Sequence, residues 1–203
     1  MIEGMVTTHI NQEVLDLLRT RRSISRMTAE CPPRDMIEHV IEAAGWAPNH
    51  YKTEPWRFTV LTGSAREDLG RAMADSLRRR LPAPDSPAAE AMLIKERAKP
   101  LRAPVVIAVA VKPSDRPKVR EVEEIEAGAA GVENMLLAAH ALGLGAMWRT
   151  GEAAYDPEVK RFLGFPPTAH IAAFVYLGYP DVPELPKRER DLSAVTRWIG
   201  DEA

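Results

Sequence analysis

The sequence predicts a domain in which α-helices and β-strands alternate along the chain. Four short apolar stretches have the pattern of strands, and longer segments with a three-to-four-residue apolar period separate them. The chain of 203 residues is long enough for one domain that buries roughly 70% of its unfolded surface. We therefore expect residues 1–203 to form a single domain. The predicted strands are Trp56 to Leu61, Pro104 to Val111, Leu144 to Trp148 and His170 to Tyr176.

The predicted strands differ in how deeply they should be buried. Pro104 to Val111 is an unbroken apolar run rich in valine, which is typical of a strand covered on both faces. We therefore expect it near the centre of the sheet. Trp56 to Leu61 alternates in polarity and follows Gly45 to Pro55, a segment whose prolines break regular structure.

Four helices are predicted besides the longest one, and the last of the four is short. The first begins after Asn11, a good N-terminal cap, and ends near a basic cluster. The second begins after Pro32 and Pro33. Leu81 to Pro87 holds three prolines and is expected to be an exposed connection. The buried face of the second helix is predicted to be Met36, Ile37, Val40, Ile41 and Ala44, and the remaining two helices are Ser64 to Arg80 and Asp156 to Leu163.

The longest predicted helix spans Glu121 to Leu142. Its first residues are rich in glutamate, which favours the positive end of the helix dipole, and Gly143 marks its end. Ala127 to Gly131 contains only small residues, so another backbone can approach closely there. Two interpretations remain open: tight packing inside one subunit, or a helix that lies in a dimer interface.

Composition excludes several classes of function. The formal net charge is −2, so no global positive field would attract nucleic acid or a membrane surface. The longest apolar stretch is far too short to cross a bilayer, and the N-terminus lacks a secretion signal. Cys31 has no second cysteine with which to form a disulfide. We therefore expect a cytoplasmic protein that acts on a small molecule.

The familiar catalytic and phosphate-binding motifs are missing. Neither G-x-G-x-x-G nor G-x-x-x-x-G-K-[ST] occurs, which argues against a Rossmann domain and a P-loop. There is no H-E-x-x-H, no G-x-S-x-G and no cluster of metal ligands. The remaining candidate for anion capture is Arg21-Arg22-Ser23, where two guanidinium groups and a hydroxyl can grip a phosphate monoester. The alternative is a solvated basic helix end.

Three separated motifs give the chain a specific resemblance. They are R-R-S-x-S-R from Arg21, A-P-N-H-x-x-x-E-P-W from Ala47, and G-L-G-A-M-W-R-T-G from Gly143. Their order and spacing resemble the FMN-dependent nitroreductase family, above all its compact short-chain bacterial NAD(P)H nitroreductases. The resemblance implies a nitroreductase-like α+β fold with a central mixed, largely antiparallel sheet flanked by helices. It also implies a homodimer in which a C-terminal tail, about 181–203, extends over the partner subunit; the apolar Trp198 and Ile199 in that tail need a surface to cover.

The resemblance also implies which residues hold the cofactor FMN. In the family the first motif binds the flavin phosphate and ribityl chain, and the third wraps a strand end over the flavin. His50 is implied to lie against the cofactor. Trp46 is implied to approach it from the partner subunit, with a buried anchor as the alternative. The cofactor-binding residues are thus Arg21, Arg22, Ser23, Trp46, His50, Trp148, Arg149 and Thr150.

The segment before the third motif is similar to a nicotinamide-coenzyme-binding stretch. The simpler interpretation is the C-terminus of a helix. For Trp148, a core role is the alternative to flavin contact, and Pro55 and Trp56 are assigned to loop rigidity and packing. The coenzyme-binding candidates are Ala138, Ala139, His140, Ala141, Leu142 and Gly143.

The implied chemistry belongs to the flavin, so no catalytic side chain is expected. NADH or NADPH would deliver a hydride to the flavin N5 and leave, and a small acceptor such as a nitroaromatic or quinone would then enter. Glu54 stands where glutamine is common in the family, and His50 where many relatives have serine and asparagine, which would change the choice of acceptor. Two alternatives are other flavin chemistry on the same fold (dehalogenation, enone reduction or oxidation) and a non-catalytic flavin-binding module.

Overall fold

The structure, a computed structural model, describes residues 12–183 and 190–200. Its centre is a four-stranded sheet in which the strands are ordered β1-β2-β4-β3 and every neighbouring pair is antiparallel. The α+β class and the largely antiparallel sheet are therefore confirmed. The strands are β1 (Trp56–Thr62), β2 (Val105–Val111), β3 (Gly145–Arg149) and β4 (His170–Gly178).

Six α-helices surround the sheet in the described part of the chain. The five predicted helices are confirmed, although the cap proposed at Asn11 lies outside the described residues. One helix, α4, was not predicted. The helices are α1 (Gln12–Thr20), α2 (Arg34–Gly45), α3 (Ala65–Arg80), α4 (Pro87–Ala98), α5 (Glu121–Ala141) and α6 (Pro157–Phe162).

The core lies on both faces of the sheet. Val106 and Ala108 of β2 face a cluster that includes residues of α3, of α6 and of the segment between α4 and β2. Val105 and Ile107 face the opposite way, toward α2 and α5. Every residue of β2 is buried, which confirms that this strand is central and covered on both sides. The predicted face of α2 is also confirmed: Ile37, Val40 and Ala44 are buried, and Met36 and Ile41 pack against them.

The small residues of α5 allow close packing inside the chain. A Cβ at Gly128 would lie 2.2 Å from Cγ2 of Val111, and one at Gly131 would lie 2.9 Å from Nε1 of Trp56. That indole also donates a hydrogen bond to the carbonyl oxygen of Ala127 at 3.2 Å. Packing within one subunit thus accounts for these glycines, and it confirms the structural role given to Trp56.

The segment after α1 is fixed to the outer edge of β3. Ser23 forms a parallel bridge with Ala146, and the Ile24 amide donates to the Ala146 carbonyl oxygen at 3.0 Å. A little further on, the Thr28 amide donates to the Tyr179 carbonyl oxygen at 2.9 Å. These backbone bonds place the Arg21-Arg22-Ser23 motif beside the start of β3.

Two groups of apolar side chains are exposed in the described part of the chain. Val14 and Leu18 of α1 are each 51% exposed, and no residue of that helix is buried. Near the C-terminus, Trp198 is 91% and Ile199 84% exposed. None of the described helices is long and apolar enough to span a membrane.

Candidate functional site

The first motif opens onto a cleft of about 320 Å³, which we call the Arg21 cleft. Its walls come from the end of α1, the end of α5, the start of β3 and the segment after β4. The fold thus brings together parts of the chain that are more than a hundred residues apart. The lining residues are Thr20, Arg21, Arg22, Ile24, Leu136, His140, Gly143, Leu144, Ala146, Pro180, Val182 and Pro183.

The two arginines of the cleft are held in different ways. Nε of Arg21 donates to Oε1 of Glu133 at 3.2 Å, and the Arg21 side chain is 25% exposed. Arg22 donates from one terminal nitrogen to the carbonyl oxygens of Arg19 at 2.7 Å and Arg21 at 2.8 Å. Apart from the Glu133 contact, the guanidinium of Arg21 makes no hydrogen bond to the described residues. Its terminal NH₂ groups are therefore available to an anion.

His140 lies in the same cleft, and the charges of both arginines affect its pKa. Burial lowers the pKa of His140 below its ordinary value, and the positive charges of Arg21 and Arg22 lower it further. Nε2 of His140 lies 2.9 Å from the Thr20 hydroxyl, which donates its own hydrogen to the Asp16 carbonyl oxygen at 2.6 Å. The neutral imidazole therefore carries its proton on Nε2. The cleft combines a positive potential with an uncharged histidine.

The lowered pKa of His140 allows a direct test of the positive potential in the cleft. We expect the ring protons of His140 to titrate below pH 6.5 in NMR spectra of the cofactor-free protein, and Arg21→Gln to move that midpoint upward. Removing one of the two cations makes protonation of the ring easier, which sets the sign. A midpoint that Arg21→Gln leaves unchanged or lowers would contradict the assigned field.

The predicted coenzyme segment spans the end of α5 and the turn that follows. His140 and Gly143 line the Arg21 cleft, and Leu142 is the residue that ends the helix. Ala138 is half-buried and Ala141 exposed, while Ala139 is fully buried in the core. The segment is thus a helix C-terminus, as the simpler interpretation has it, and it also borders the cleft.

The third motif lies at the opposite end of β3 from the cleft. Trp148 is half-buried, packs against the core and donates from Nε1 to the Ala172 carbonyl oxygen at 3.0 Å. Arg149 and Thr150 line a second, smaller cavity of about 80 Å³. Arg149 follows Ala146 by three residues, which corresponds to about 10 Å along an extended strand. One strand therefore joins the two cavities.

Trp46 and His50 lie elsewhere on the surface of the chain. Trp46 follows the end of α2 and is 79% exposed, so the alternative of a buried anchor within the subunit is wrong. Nδ1 of His50 lies 2.9 Å from Oε2 of Glu123, and its ring stacks on Tyr51 with centroids 4.1 Å apart. Both aromatic side chains are available to another molecule.

The loop that presents His50 is conformationally strained. Tyr51, Lys52 and Glu54 all have positive φ angles, between 48° and 59°, which are uncommon for residues other than glycine. The loop is held by Asn49, whose side-chain oxygen accepts from the Glu54 amide at 3.1 Å, and by Arg116, which donates to the Tyr51 carbonyl oxygen at 3.2 Å. Strain of this kind persists where the surroundings fix the loop, and it is frequent at functional sites.

Helix α5 contacts three residues of the candidate sites and shows how far apart they are. His50 contacts Glu123, Arg21 contacts Glu133, and Thr20 contacts His140. At a rise of about 1.5 Å per residue, the first and last of these positions on α5 are about 25 Å apart. Within one chain, His50 therefore does not share the Arg21 cleft.

Several residues of the two cavities were not identified from the sequence. Thr20 and Glu133 support the cleft, and Arg102 and Tyr176 line the smaller cavity. Tyr176 belongs to a strand predicted to be buried, and only the pairing of β4 with its neighbours shows which cavity it faces. Among residues 12–183 and 190–200, no group of three or more metal-binding side chains is close enough to hold a metal ion.

The antiparallel sheet with helices on both faces and the arginine-lined cleft at one edge define the class: an α+β protein with a cleft suited to an anion. A model of the nitroreductase family matches residues 18–179. The chain belongs to the nitroreductase family. "Putative NAD(P)H nitroreductase YdjA" of Escherichia coli K12 is 33% identical over 171 residues, which are 84% of this chain and 90% of YdjA.

Two further relatives bear on the chemistry. Iodotyrosine deiodinase 1 of Sus scrofa is 28% identical over 202 residues, which cover 92% of this chain and 69% of the deiodinase. A crystal structure from Desulfovibrio desulfuricans, described as a nitroreductase in complex with FMN, is 27% identical with a TM-score of 0.69. That similarity covers 93% of this chain and 98% of the other. The similarity therefore extends over the sheet and both cavities.

Proposed function

We propose that this protein is an FMN-dependent oxidoreductase that takes electrons from NADH or NADPH and reduces a small acceptor, such as a nitroaromatic or a quinone. The observation that carries the proposal is the Arg21 cleft, in which two arginines and a neutral histidine meet at the edge of the sheet. The family and the FMN-bound relative supply the identity of the cofactor. When bound, FMN would accept a hydride at N5 from the coenzyme and then reduce the acceptor.

The residues of the cleft fit a phosphate monoester. Terminal NH₂ groups of Arg21 would donate to phosphate oxygens, and Arg22 would add a second positive charge. Ser23 follows Arg22 in the chain but does not line the cleft, and its exposed hydroxyl would donate from the edge. The lowered pKa of His140 supports a positive potential at this place. Neutral His140 would add no charge of its own, and its Nε2 proton is engaged with Thr20. The phosphate would thus be held by the first motif.

The remaining candidates would complete the cofactor site from two sides. Trp148, Arg149 and Thr150 would contact the flavin from the far end of β3, where Gly151 has a φ of 126° that favours glycine. Trp46 and His50 lie on a different part of the chain and are exposed. We propose that these two reach the cofactor of a second subunit. A homodimer with two equivalent sites follows from this arrangement.

The exposed apolar side chains support the dimer. Val14 and Leu18 on α1, and Trp198 and Ile199 near the C-terminus, are large apolar side chains that a partner subunit would bury. We propose that residues 1–203 form a single domain whose tail, about 181–203, covers the partner, and that the protein works in the cytoplasm. Light scattering would show a dimer at micromolar concentration, and a persistent FMN-bound monomer would contradict it.

The proposed activity is tested on the purified protein. We expect a yellow preparation with one FMN per chain, whose flavin absorbance is bleached by NADH or NADPH without oxygen and restored by a nitroaromatic. Bleaching followed by reoxidation supports the oxidoreductase. Bound FMN that neither coenzyme bleaches would instead indicate a flavin-binding module, and a colourless protein that does not take up FMN would end the proposal.

A second candidate within the same fold is reductive dehalogenation. The observation that favours it is the 28% identity to iodotyrosine deiodinase 1 over nearly the whole chain. The two activities are separated by giving the reduced holoenzyme either a nitroaromatic or a halogenated phenol. Faster flavin reoxidation by the halogenated phenol, with release of halide, would favour the second candidate.

A further inference from the structure

The smaller cavity at the end of β3, which we call the Tyr176 pit, has a buried floor and a charged rim. Its volume is about 80 Å³, which is enough for a few water molecules or for a small oxyanion group. Met73, Phe174 and Tyr176 are buried and form the floor, and Arg102 and Arg149 lie at the rim. A pit with this construction can hold one polar group against an apolar base.

The Tyr176 side chain is buried, but its hydroxyl is accessible from the pit. Tyr176 is only 5% exposed, yet its hydroxyl forms no hydrogen bond with residues 12–183 or 190–200. Burial raises the pKa of Tyr176 to about 12, against the opposing effect of Arg149 and Arg102. The phenol therefore keeps its proton at neutral pH. Since the hydroxyl has no partner among the described residues and is accessible from the pit, it can donate a hydrogen bond to a group that enters.

The two arginines at the rim also lack partners. Neither Arg102 nor Arg149 forms a hydrogen bond or an ion pair through its side chain with any described residue, and both act on the charge of Tyr176. The other charges of the rim are already paired. Nζ of Lys99 lies 2.6 Å from Oε2 of Glu96, and Glu152 lies 3.6 Å from a guanidinium nitrogen of Arg80. Two guanidinium groups are thus left for a ligand.

We propose that the Tyr176 pit binds a carboxylate group carried by the electron acceptor. This assignment rests on the proposed function and adds a class of acceptor to it: small aromatic acids. A carboxylate accepts hydrogen bonds from the planar guanidinium of Arg102 and from the Tyr176 hydroxyl in one small space. Thr150 lines the pit and is also one of the residues proposed to contact the flavin, so the two sites would adjoin at the end of β3.

The charge and size of the pit suit a small anionic group. Glu96 pairs with Lys99 and Glu152 with Arg80, so the unpaired positive charge at the rim comes from Arg102 and Arg149. The volume of about 80 Å³ leaves room for one carboxylate.

The test compares 4-nitrobenzoate with its uncharged methyl ester as acceptors for the NAD(P)H-reduced holoenzyme. We expect the wild type to prefer the acid, and Arg102→Gln to raise the KM for the acid about tenfold while leaving the ester unchanged. Tyr176→Phe is expected to act in the same direction with a smaller effect. Arg97→Gln, an exposed arginine that does not line the pit, is the matched control.

A binding measurement separates this inference from the proposed function. Benzoate is expected to inhibit competitively against 4-nitrobenzoate, and its binding, followed by calorimetry on the holoenzyme, is expected to weaken about tenfold in Arg102→Gln. Equal effects of Arg102→Gln on acid and ester, or unchanged benzoate binding, would overturn the pit assignment. Failure of the wild type to reduce even the ester would overturn the proposed function, while the benzoate titration would still decide the pit.

Discussion

Replacing Arg21 with alanine is expected to weaken FMN binding between about tenfold and a hundredfold. A charge-assisted hydrogen bond in a sheltered site contributes about 1.5–3 kcal/mol, and tenfold in affinity corresponds to about 1.4 kcal/mol. The fold should tolerate the change, because the Glu133 carboxylate left behind is 43% exposed and stays hydrated. We therefore expect a melting temperature within a few degrees of the wild type.

Fluorescence titration of the apoprotein with FMN measures this effect. Arg19→Ala is the matched control, since Arg19 lies at the end of the same helix, contacts Asp16 and does not line the cleft. The control should bind FMN as the wild type does. Full flavin occupancy in purified Arg21→Ala would show that the phosphate is held somewhere other than the first motif.

Replacing Phe174 with alanine is expected to lower the free energy of unfolding by about 3–5 kcal/mol, more than any other substitution described above. Phe174 lies in the middle of β4, is 1% exposed and is among the largest fully buried side chains. Removal of the ring would enlarge the adjoining Tyr176 pit, and the sheet and α3 hold the other walls in place. For a chain of this size, the melting temperature should fall by roughly 6–20 °C.

Phe162→Ala provides the comparison for this prediction. Phe162 lies at the end of α6 and is 43% exposed, so its truncation should cost well under half as much. Thermal unfolding of the two apoprotein variants at one protein concentration measures the difference. Equal losses for the two phenylalanines would show that β4 does not occupy the centre of the core.

The strands could be predicted because a buried strand has a recognisable pattern in its local sequence. β2 reads as an unbroken run of alanine, valine and isoleucine because both of its faces are covered. The order of the strands was not predictable in this way, since it depends on contacts between β1, β2 and β4 that are distant in the chain. The resemblance to a family, rather than any local pattern, supplied the antiparallel arrangement.

Helix α4 shows what a local pattern can miss. Its apolar residues do not form one stripe: Ala89 and Leu93 are buried, whereas Met92 and Ile94 point outward. Its start is nevertheless encoded, because the Ser86 hydroxyl accepts from the Ala89 amide at 3.2 Å and Pro87 occupies the first turn. In a stretch with three prolines, the same residues also fit the exposed connection that the sequence predicts.

The candidate site was predictable only in part. Arg21, Arg22 and His140 were identified from motifs, but their shared cleft depends on a contact between Thr20 and His140 that spans 120 residues. The motifs also gave no sign that Arg149 lies in a second cavity with Arg102. Side-chain direction on β3 and β4 decides this, and it follows from strand register, which is a property of the folded sheet.

The four tryptophans differ in exposure, so the intrinsic fluorescence of the protein can report on changes at its surface. Trp56 is buried and Trp148 half-buried, and both are hydrogen-bonded to carbonyl oxygens, whereas Trp46 and Trp198 are largely exposed to water. Emission should accordingly contain a blue, shielded component and a red, quencher-accessible one. Any event that covers the second pair will shift and protect only the red component, so subunit association and ligand arrival can be followed without a label.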